Sequence, residues 1–209
     1  MAEHCCSAKS KELERLAVQA EQRRVLTIVL VINAAMFFLE FGAGVIAGSA
    51  ALMADAVDML GDALVYGLSL YALARSDRWK GGAALAKGVF ILAFGIGILI
   101  DIAIKLQSGI PPSSTLMLGF GTLALAANLL CLRLLWRFRA QDVNMASTFE
   151  CSRNDVVSNI GVLVAAGGVA LFASPWPDIL VGAAIAALFL RSAFSVIRSA
   201  LPALRTAQG

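Results

Sequence analysis

The chain has 209 residues, of which 59% are hydrophobic and only 15% charged, and its net charge is +3. Soluble domains carry about a quarter charged residues, so this composition excludes a soluble enzyme and a disordered regulator. Four scattered cysteines are too few for a disulfide scaffold. The apolar residues fall into runs of about 20, the length of a helix that crosses a bilayer. We therefore expect an all-α, polytopic membrane protein.

The N-terminal segment is polar and precedes the first apolar run. Residues 7–24 repeat apolar side chains at helical spacing, which predicts a short amphipathic helix. We divide the chain into an N-terminal region (1–24), a six-span membrane domain (25–200) and a short C-terminal tail (201–209).

Six membrane spans follow in chain order. The sixth is the least apolar because Arg191 interrupts it, but an arginine near a helix end can extend its charge to the interface. The predicted spans are Val25–Ala47, Ala50–Ala74, Ala84–Leu106, Leu116–Leu135, Met145–Ala173 and Pro177–Ser199.

The basic residues predict the orientation. All of the 17 lysines and arginines except Lys105 fall on the side of the N-terminus, and positive connectors are typical of the cytoplasmic face. Both termini should therefore be cytoplasmic, in an integral membrane protein that we expect in the inner membrane of a bacterium. The same distribution argues against a nucleic-acid partner, because the charges lie in short connectors between spans.

Ionisable side chains within two spans form the strongest functional signal. Placing each ionised side chain inside a bilayer costs about 3 kcal/mol of free energy, so such residues indicate a function. Asp58 and Asp62 in the second span lie four residues apart, on one helical face and about 6 Å apart along the axis. Cys151 and Asp155 repeat this spacing in the fifth span. Two such pairs could close a four-coordinate metal site between the helices.

Each of these residues also has a simpler interpretation. Cys151 could be a buried small side chain, Asp155 a helix cap and Asp62 the partner of an arginine near the inner face. Two acids in the middle of a span are harder to explain in this way, which favours the metal site.

Two stretches of the sequence resemble a known family. Residues 38–62, which include GSAALMADAVDMLGD, look like spans one and two of the cation diffusion facilitators, and residues 145–166 (MASTFECSRNDVVSNIGVLVAA) resemble their fifth span. The tripeptide at 177–179 is similar to the start of their sixth. The resemblance implies a six-span exporter of divalent metal ions that exchanges them for protons.

The family's transport site consists of two [His/Asp]-x-x-x-Asp motifs. Carried over, its ligands are Asp58, Asp62, Cys151 and Asp155, whereas Asp55 matches a motif position that is not normally a ligand. Zinc-selective members commonly have histidine where this chain has Asp58 or Cys151. We also expect no cytoplasmic C-terminal domain and no histidine-rich loop, so that a homodimer would form through the membrane helices or the N-terminal helix.

The expected chemistry couples metal to protons. Three carboxyl groups and a thiol in a poorly solvated cavity cannot all ionise without metal, whereas metal ligands must be deprotonated. Mixed oxygen and sulfur ligands favour zinc or cadmium, and leave cobalt, iron and manganese open. The metal is the substrate, and no prosthetic group is expected.

Other polar residues have two interpretations each. His4, Cys5 and Cys6 form either a cytoplasmic capture site for soft metals or an incidental part of an unstructured tail. Asn33 and Glu40, seven residues apart, either line the pathway and hold protons together with Asp55, or form hydrogen bonds between helices. In the third span, Asp101 and Lys105 should form a local ion pair.

Two competing functions differ in class from a transporter. An intramembrane aspartyl hydrolase could use Asp62 and Asp155 as its two acids, but it would leave the residue four positions before each acid unexplained. A membrane metal sensor or chaperone would bind the ion without moving it. We therefore expect a transporter that is not an enzyme.

Overall fold

The computed structural model describes the backbone of residues 2–72, 77–140 and 143–205. Every regular element in this part of the chain is an α-helix, which confirms the predicted fold class. The six long helices are α1 (Ala2–Ala47), α2 (Ala50–Ala72), α3 (Asp77–Ser108), α4 (Ser114–Trp136), α5 (Val143–Phe172) and α6 (Trp176–Arg205).

Five of these helices are long and apolar enough to span a membrane, and the protein is a multi-pass membrane protein. The remaining helix, α2, has 23 residues, which is enough length, but it carries three aspartates. It packs against α1, α3, α5 and α6 and lies at the centre of the bundle. All its residues from Ala50 to Val57 are buried. Asp55 and Asp62 are buried within the protein, which lowers the cost of holding them in a membrane, whereas Asp58 is half-buried.

The N-terminal region differs from the expectation. A helix over residues 7–24 and a span from Val25 were expected as separate elements, but α1 is one continuous helix of 46 residues. No glycine or proline occurs in the chain before Gly42, so nothing in the sequence interrupts the helix. Residues 4–6 belong to the backbone of this helix rather than to a tail, while the side chains of residues 1–15 lie outside the part that the structure describes.

Three helix connections meet at one end of the bundle. The turn between α1 and α2 has Gly48 at φ 66°, a conformation that favours glycine. Ser113, just before α4, donates its backbone N–H to the carbonyl of Ala47 at 2.9 Å. The start of α6 contacts the same turn through Asp178. This arrangement agrees with the predicted grouping of the connectors at the end opposite to the termini.

Asp178 of α6 ties this end together. Its carboxyl group is fully buried and accepts hydrogen bonds from the Ser49 hydroxyl at 2.5 Å and from the backbone N–H groups of Ala50 and Ala51 at 2.8 and 3.1 Å. These N–H groups belong to the first turn of α2 and have no partner within the helix. Asp178 therefore caps α2 from a different helix.

Close packing continues next to this cap. A Cβ atom added to Gly182, one turn further along α6, would lie 2.8 Å from the backbone carbonyl carbon of Ala50. No side chain fits between the two helices here. The absence of a side chain at Gly182 and the cap by Asp178 together hold α2 and α6 in contact.

In the third span, Lys105 and Asp101 form the expected ion pair across one turn of α3. The pair is largely buried. Mutual neutralisation makes these two charges tolerable within an apolar helix, and the prediction for this pair is confirmed.

Candidate metal centre

Helices α2 and α5 run in opposite directions across the centre of the bundle. Their register is visible in one contact, where the side-chain amide of Asn159 donates to Asp55 Oδ2 at 2.8 Å. From this contact, both helices extend toward the end of the bundle that holds the termini. In this direction α2 passes Asp58 and then Asp62, and α5, followed in reverse chain order, passes Asp155 and then Cys151. The two pairs spaced four residues apart therefore lie at similar depths.

The structure brings all four predicted ligands to one cavity. Its volume is about 410 Å³, and α2, α5 and α6 contribute to its wall. Asp155 and Asp62 are buried, at 4% and 8% exposure, whereas Asp58 and Cys151 are half-buried. The lining residues are Asp58, Asp62, Cys151, Asn154, Asp155, Val157, Ser158, Leu188, Phe189 and Ser192.

The side chains of Asp62 and Asp155 both line this cavity. They lie near each other, and Asp58 is also near Asp155. The Tyr66 hydroxyl donates to Asp62 Oδ2 at 2.8 Å. Neighbouring carboxylates repel each other when both are ionised, and a proton or a cation between them would relieve this repulsion.

The four side chains do not yet form a coordination shell. Wherever side chains are described, no group of three or more histidine, cysteine, aspartate or glutamate residues is arranged so that it could hold a metal ion. A bound ion would have to draw the lining groups together. The ligand assignment therefore stays a prediction for Asp58, Asp62, Cys151 and Asp155. Its structural support is that all four residues line one cavity.

A second acidic pair lies beside the cavity. Glu40 of α1 is fully buried, and neither of its carboxyl oxygens receives a hydrogen bond from an N–H or O–H donor in the described residues. Its carboxyl group lies near that of Asp55. Neither residue lines the 410 Å³ cavity. In this pair too, a proton on one carboxyl group would relieve the repulsion between the two.

Asn159 connects the two acidic pairs. Its side-chain amide donates both to Asp55 Oδ2 at 2.8 Å and to the backbone carbonyl of Asp155 at 2.9 Å. One side chain thus contacts a member of the second pair and the backbone of a predicted ligand.

Other predicted residues lie apart from the cavity. Asn33 is buried, donates to the carbonyl of Val29 at 2.9 Å and lies 4.0 Å from the sulfur of Cys131 on α4. Such contacts fit the interpretation of Asn33 as a polar contact within and between helices. The predicted capture site at His4, Cys5 and Cys6 lies outside the side chains that the structure describes.

The sequence analysis did not predict Tyr66 and Asn159 as residues of the site, although their spacing could have indicated them. Each continues a predicted pair by four residues, Tyr66 after Asp62 and Asn159 after Asp155. On a helix this spacing keeps a side chain on the same face. A search for polar residues one turn beyond each pair would have found both.

Comparison with known proteins identifies the family. Residues 26–205 match the cation efflux transmembrane domain. The metal cation efflux system protein CzcD of Cupriavidus metallidurans is 24% identical over 193 residues, which cover 87% of this chain and 61% of that protein. The cadmium, cobalt and zinc/H(+)-K(+) antiporter of Bacillus velezensis is 25% identical over 197 residues, covering 87% and 63%.

A second antiporter of the same description, from Bacillus subtilis, is 22% identical over 200 residues, covering 88% of this chain and 63% of the relative. The chain thus spans about three fifths of the length of these relatives. The domain match covers most of this chain, and the family that it describes is a transporter family. The chain belongs to the cation efflux family, the cation diffusion facilitators.

Proposed function

We propose that this chain exports divalent metal ions from the cytoplasm in exchange for protons, through one site between α2 and α5. The observation that carries the proposal is the cavity of about 410 Å³ in which the paired residues of both helices meet. Family membership supports the transport of a cation. The names of two relatives describe antiport of cadmium, cobalt and zinc with protons and potassium.

The acidic pairs support exchange with protons. Without metal, a proton would relieve the repulsion between the neighbouring carboxyl groups of Asp62 and Asp155. A cation that binds them needs deprotonated ligands and expels this proton. When protons return, they compete for the same oxygen atoms and release the metal. The pair of Glu40 and Asp55, joined to α5 by Asn159, would accept or supply a proton during this exchange.

The donor set supports zinc or cadmium as the cation. Three carboxylates and a thiolate offer four mixed oxygen and sulfur ligands, the number that tetrahedral zinc takes, and a thiolate favours soft ions such as cadmium. Cobalt, which the relatives' names include, fits the same ligands, as do iron and manganese. Transport would begin at the basic end of the bundle, which we assign to the cytoplasm of a bacterium.

Transport and proton exchange can be tested together in vesicles. Purified protein is reconstituted in liposomes, Zn²⁺ or Cd²⁺ is added outside, and entry of metal is followed with an internal dye while a pH dye reports proton exit. We expect metal to enter only when protons leave, and a proton gradient directed outward to speed entry several-fold. Binding of metal without any flux would instead indicate a sensor or chaperone, and would contradict the proposal.

The hydrolase alternative draws on one specific observation, the close approach of Asp62 and Asp155. An aspartyl hydrolase uses two carboxyl groups that share a proton. Its test is Cys151→Ala, which a hydrolase would tolerate and a transporter that uses the thiolate would not. Full metal flux in this variant would argue against the thiolate as a ligand.

Replacing Cys151 by histidine should change the preferred metal. The imidazole nitrogen still binds zinc, but the soft thiolate that favours cadmium is lost. We expect Zn²⁺ flux within about threefold of the original protein and a fall of about tenfold or more in the ratio of Cd²⁺ to Zn²⁺ flux. Cys131→Ser is the matched control, because Cys131 belongs to a hydrophobic cluster and does not line the cavity. An unchanged ratio in Cys151→His would contradict the assignment of Cys151.

A further inference from the structure

A second cavity lies between α1 and α4 at the basic end of the bundle. Its volume is about 440 Å³, and it shares no lining residue with the candidate metal cavity. One side is formed by three arginines and a glutamate, and the rest is apolar. The lining residues are Glu21, Arg24, Arg133, Arg137, Val25, Ile28, Leu130, Leu134 and Phe138.

The polar side of this pocket carries excess positive charge. Both oxygens of Glu21 accept hydrogen bonds from the guanidinium group of Arg137, at 2.7 and 3.3 Å, so this pair is neutral. Arg24 and Arg133 are exposed and have no ion-pair partner among the described side chains. Two positive charges therefore point into a pocket where the described chain offers no second acid to balance them.

The pocket lies at the boundary between the apolar and polar layers of a membrane. Arg133 precedes Arg137 by one turn of α4 and is about 6 Å closer to the centre of the bundle. Trp136, between them, is 55% exposed and has the guanidinium group of Arg139 4.1 Å from its ring centroid. Exposed tryptophan beside arginine is typical of the level of the lipid headgroups.

The apolar side of the pocket is open to the surroundings. Ile28 and Leu130 are 39% and 50% exposed on the outer surface of the two helices. In a membrane protein, such side chains face lipid acyl chains. The pocket thus offers positive charge at headgroup level and an apolar surface that continues into the bilayer.

We propose that this pocket, with Arg24 and Arg133 beside the Glu21–Arg137 pair, binds the headgroup of an anionic phospholipid whose acyl chains lie along Ile28 and Leu130. Guanidinium groups bind phosphate through charge-assisted hydrogen bonds. Basic pockets between membrane helices are suited to anionic headgroups. The exposed apolar side favours a lipid over a soluble phosphate. The site is independent of the proposed transport function.

The proposal can be tested on the intact protein by native mass spectrometry in detergent. Dioleoyl phosphatidylglycerol and dioleoyl phosphatidylethanolamine are titrated in parallel. We expect the first to bind more tightly, and the double variant R24Q/R133Q to weaken its binding about tenfold or more, since each arginine near an anionic headgroup contributes roughly fivefold. Binding of phosphatidylethanolamine should not change. Unaltered phosphatidylglycerol affinity in R24Q/R133Q would overturn the proposal.

Three controls separate the pocket from general effects of charge. R191Q/R198Q removes two exposed arginines from α6 at the same end of the bundle and should leave the affinity unchanged; an equal loss there would contradict a specific pocket. Glu21→Gln removes the acid that pairs with Arg137 and should tighten binding a few-fold, whereas weaker binding would contradict the electrostatic basis. Inorganic phosphate at millimolar concentration should not displace the lipid, and displacement would indicate a soluble anion instead.

Discussion

Asp155→Asn is expected to abolish metal transport while the protein still folds. Asparagine has the same shape and can keep a hydrogen bond to Asp62, but it carries no negative charge and cannot exchange a proton. Loss of a group that only supports a metal ligand costs about 10–100-fold, so loss of a ligand should cost at least about 100-fold. The measurement is Zn²⁺ and Cd²⁺ flux into liposomes, with proton exit recorded in the same vesicles.

A matched control for Asp155→Asn lies on the same helix. Glu150→Gln also converts a carboxylate of α5 to an amide, but Glu150 is exposed, pairs with Arg153 at 2.5 Å and does not line the cavity. We expect this variant to keep flux within about twofold. Equal elution volume and thermal midpoint of both variants would exclude misfolding. Flux in Asp155→Asn above half of the original would refute the proposed site.

Several features of the fold were accessible from the sequence because they are local. A hydrophobic run of about 20 residues sets the length of each span, and the bounds of α4 and α5 differ from the expected ones by only a few residues. The spacing of four residues within Asp58 and Asp62, or within Cys151 and Asp155, fixes their position on one helical face. Nothing outside one helix is needed for either inference.

Contacts between helices were not accessible in the same way. Periodicity within α2 and within α5 does not specify how one helix is shifted along the other, so the bond between Asp55 and Asn159, 104 residues apart, could not be expected. The pairing of Glu40 with Asp55 depends on the packing of α1 against α2 for the same reason. Whether the four predicted ligands close around an ion also depends on side-chain rotations that spacing does not determine.

Asp178 is the clearest case of a residue whose role depends on the assembled bundle. Taken in the sequence, an aspartate in the first turn of α6 fits that helix's own N-terminus, where a negative charge is stabilising. In the structure it accepts three hydrogen bonds from the turn before α2 and from the first turn of α2, and its partners are 127 to 129 residues away. The sequence contains no local sign of that connection.

Replacing Asp178 by alanine is expected to cause the largest loss of stability. The variant leaves the Ser49 hydroxyl and the N–H groups of Ala50 and Ala51 without their partner in a buried place. Hydrogen bonds to a charged group contribute about 1.5–3 kcal/mol each, and an unsatisfied buried donor adds a cost of its own. We expect a loss of about 3 kcal/mol or more. For a chain of this size that corresponds to a fall of roughly 10 °C in the thermal midpoint.

Asp178→Asn removes only part of the cap. The one oxygen of the asparagine side chain can still accept hydrogen bonds, but its amide nitrogen cannot accept one from the N–H group of Ala50. Its thermal midpoint in detergent should lie between those of the original protein and Asp178→Ala. Glu150→Gln, an exposed change on α5, should stay within about 2 °C of the original, as surface substitutions usually do. Gly182 brings α6 so close to Ala50 that no side chain separates the two helices, so water has little room to replace the missing carboxyl group. A midpoint for Asp178→Ala equal to that of Glu150→Gln would mean that the cap contributes nothing to holding α2 against α6.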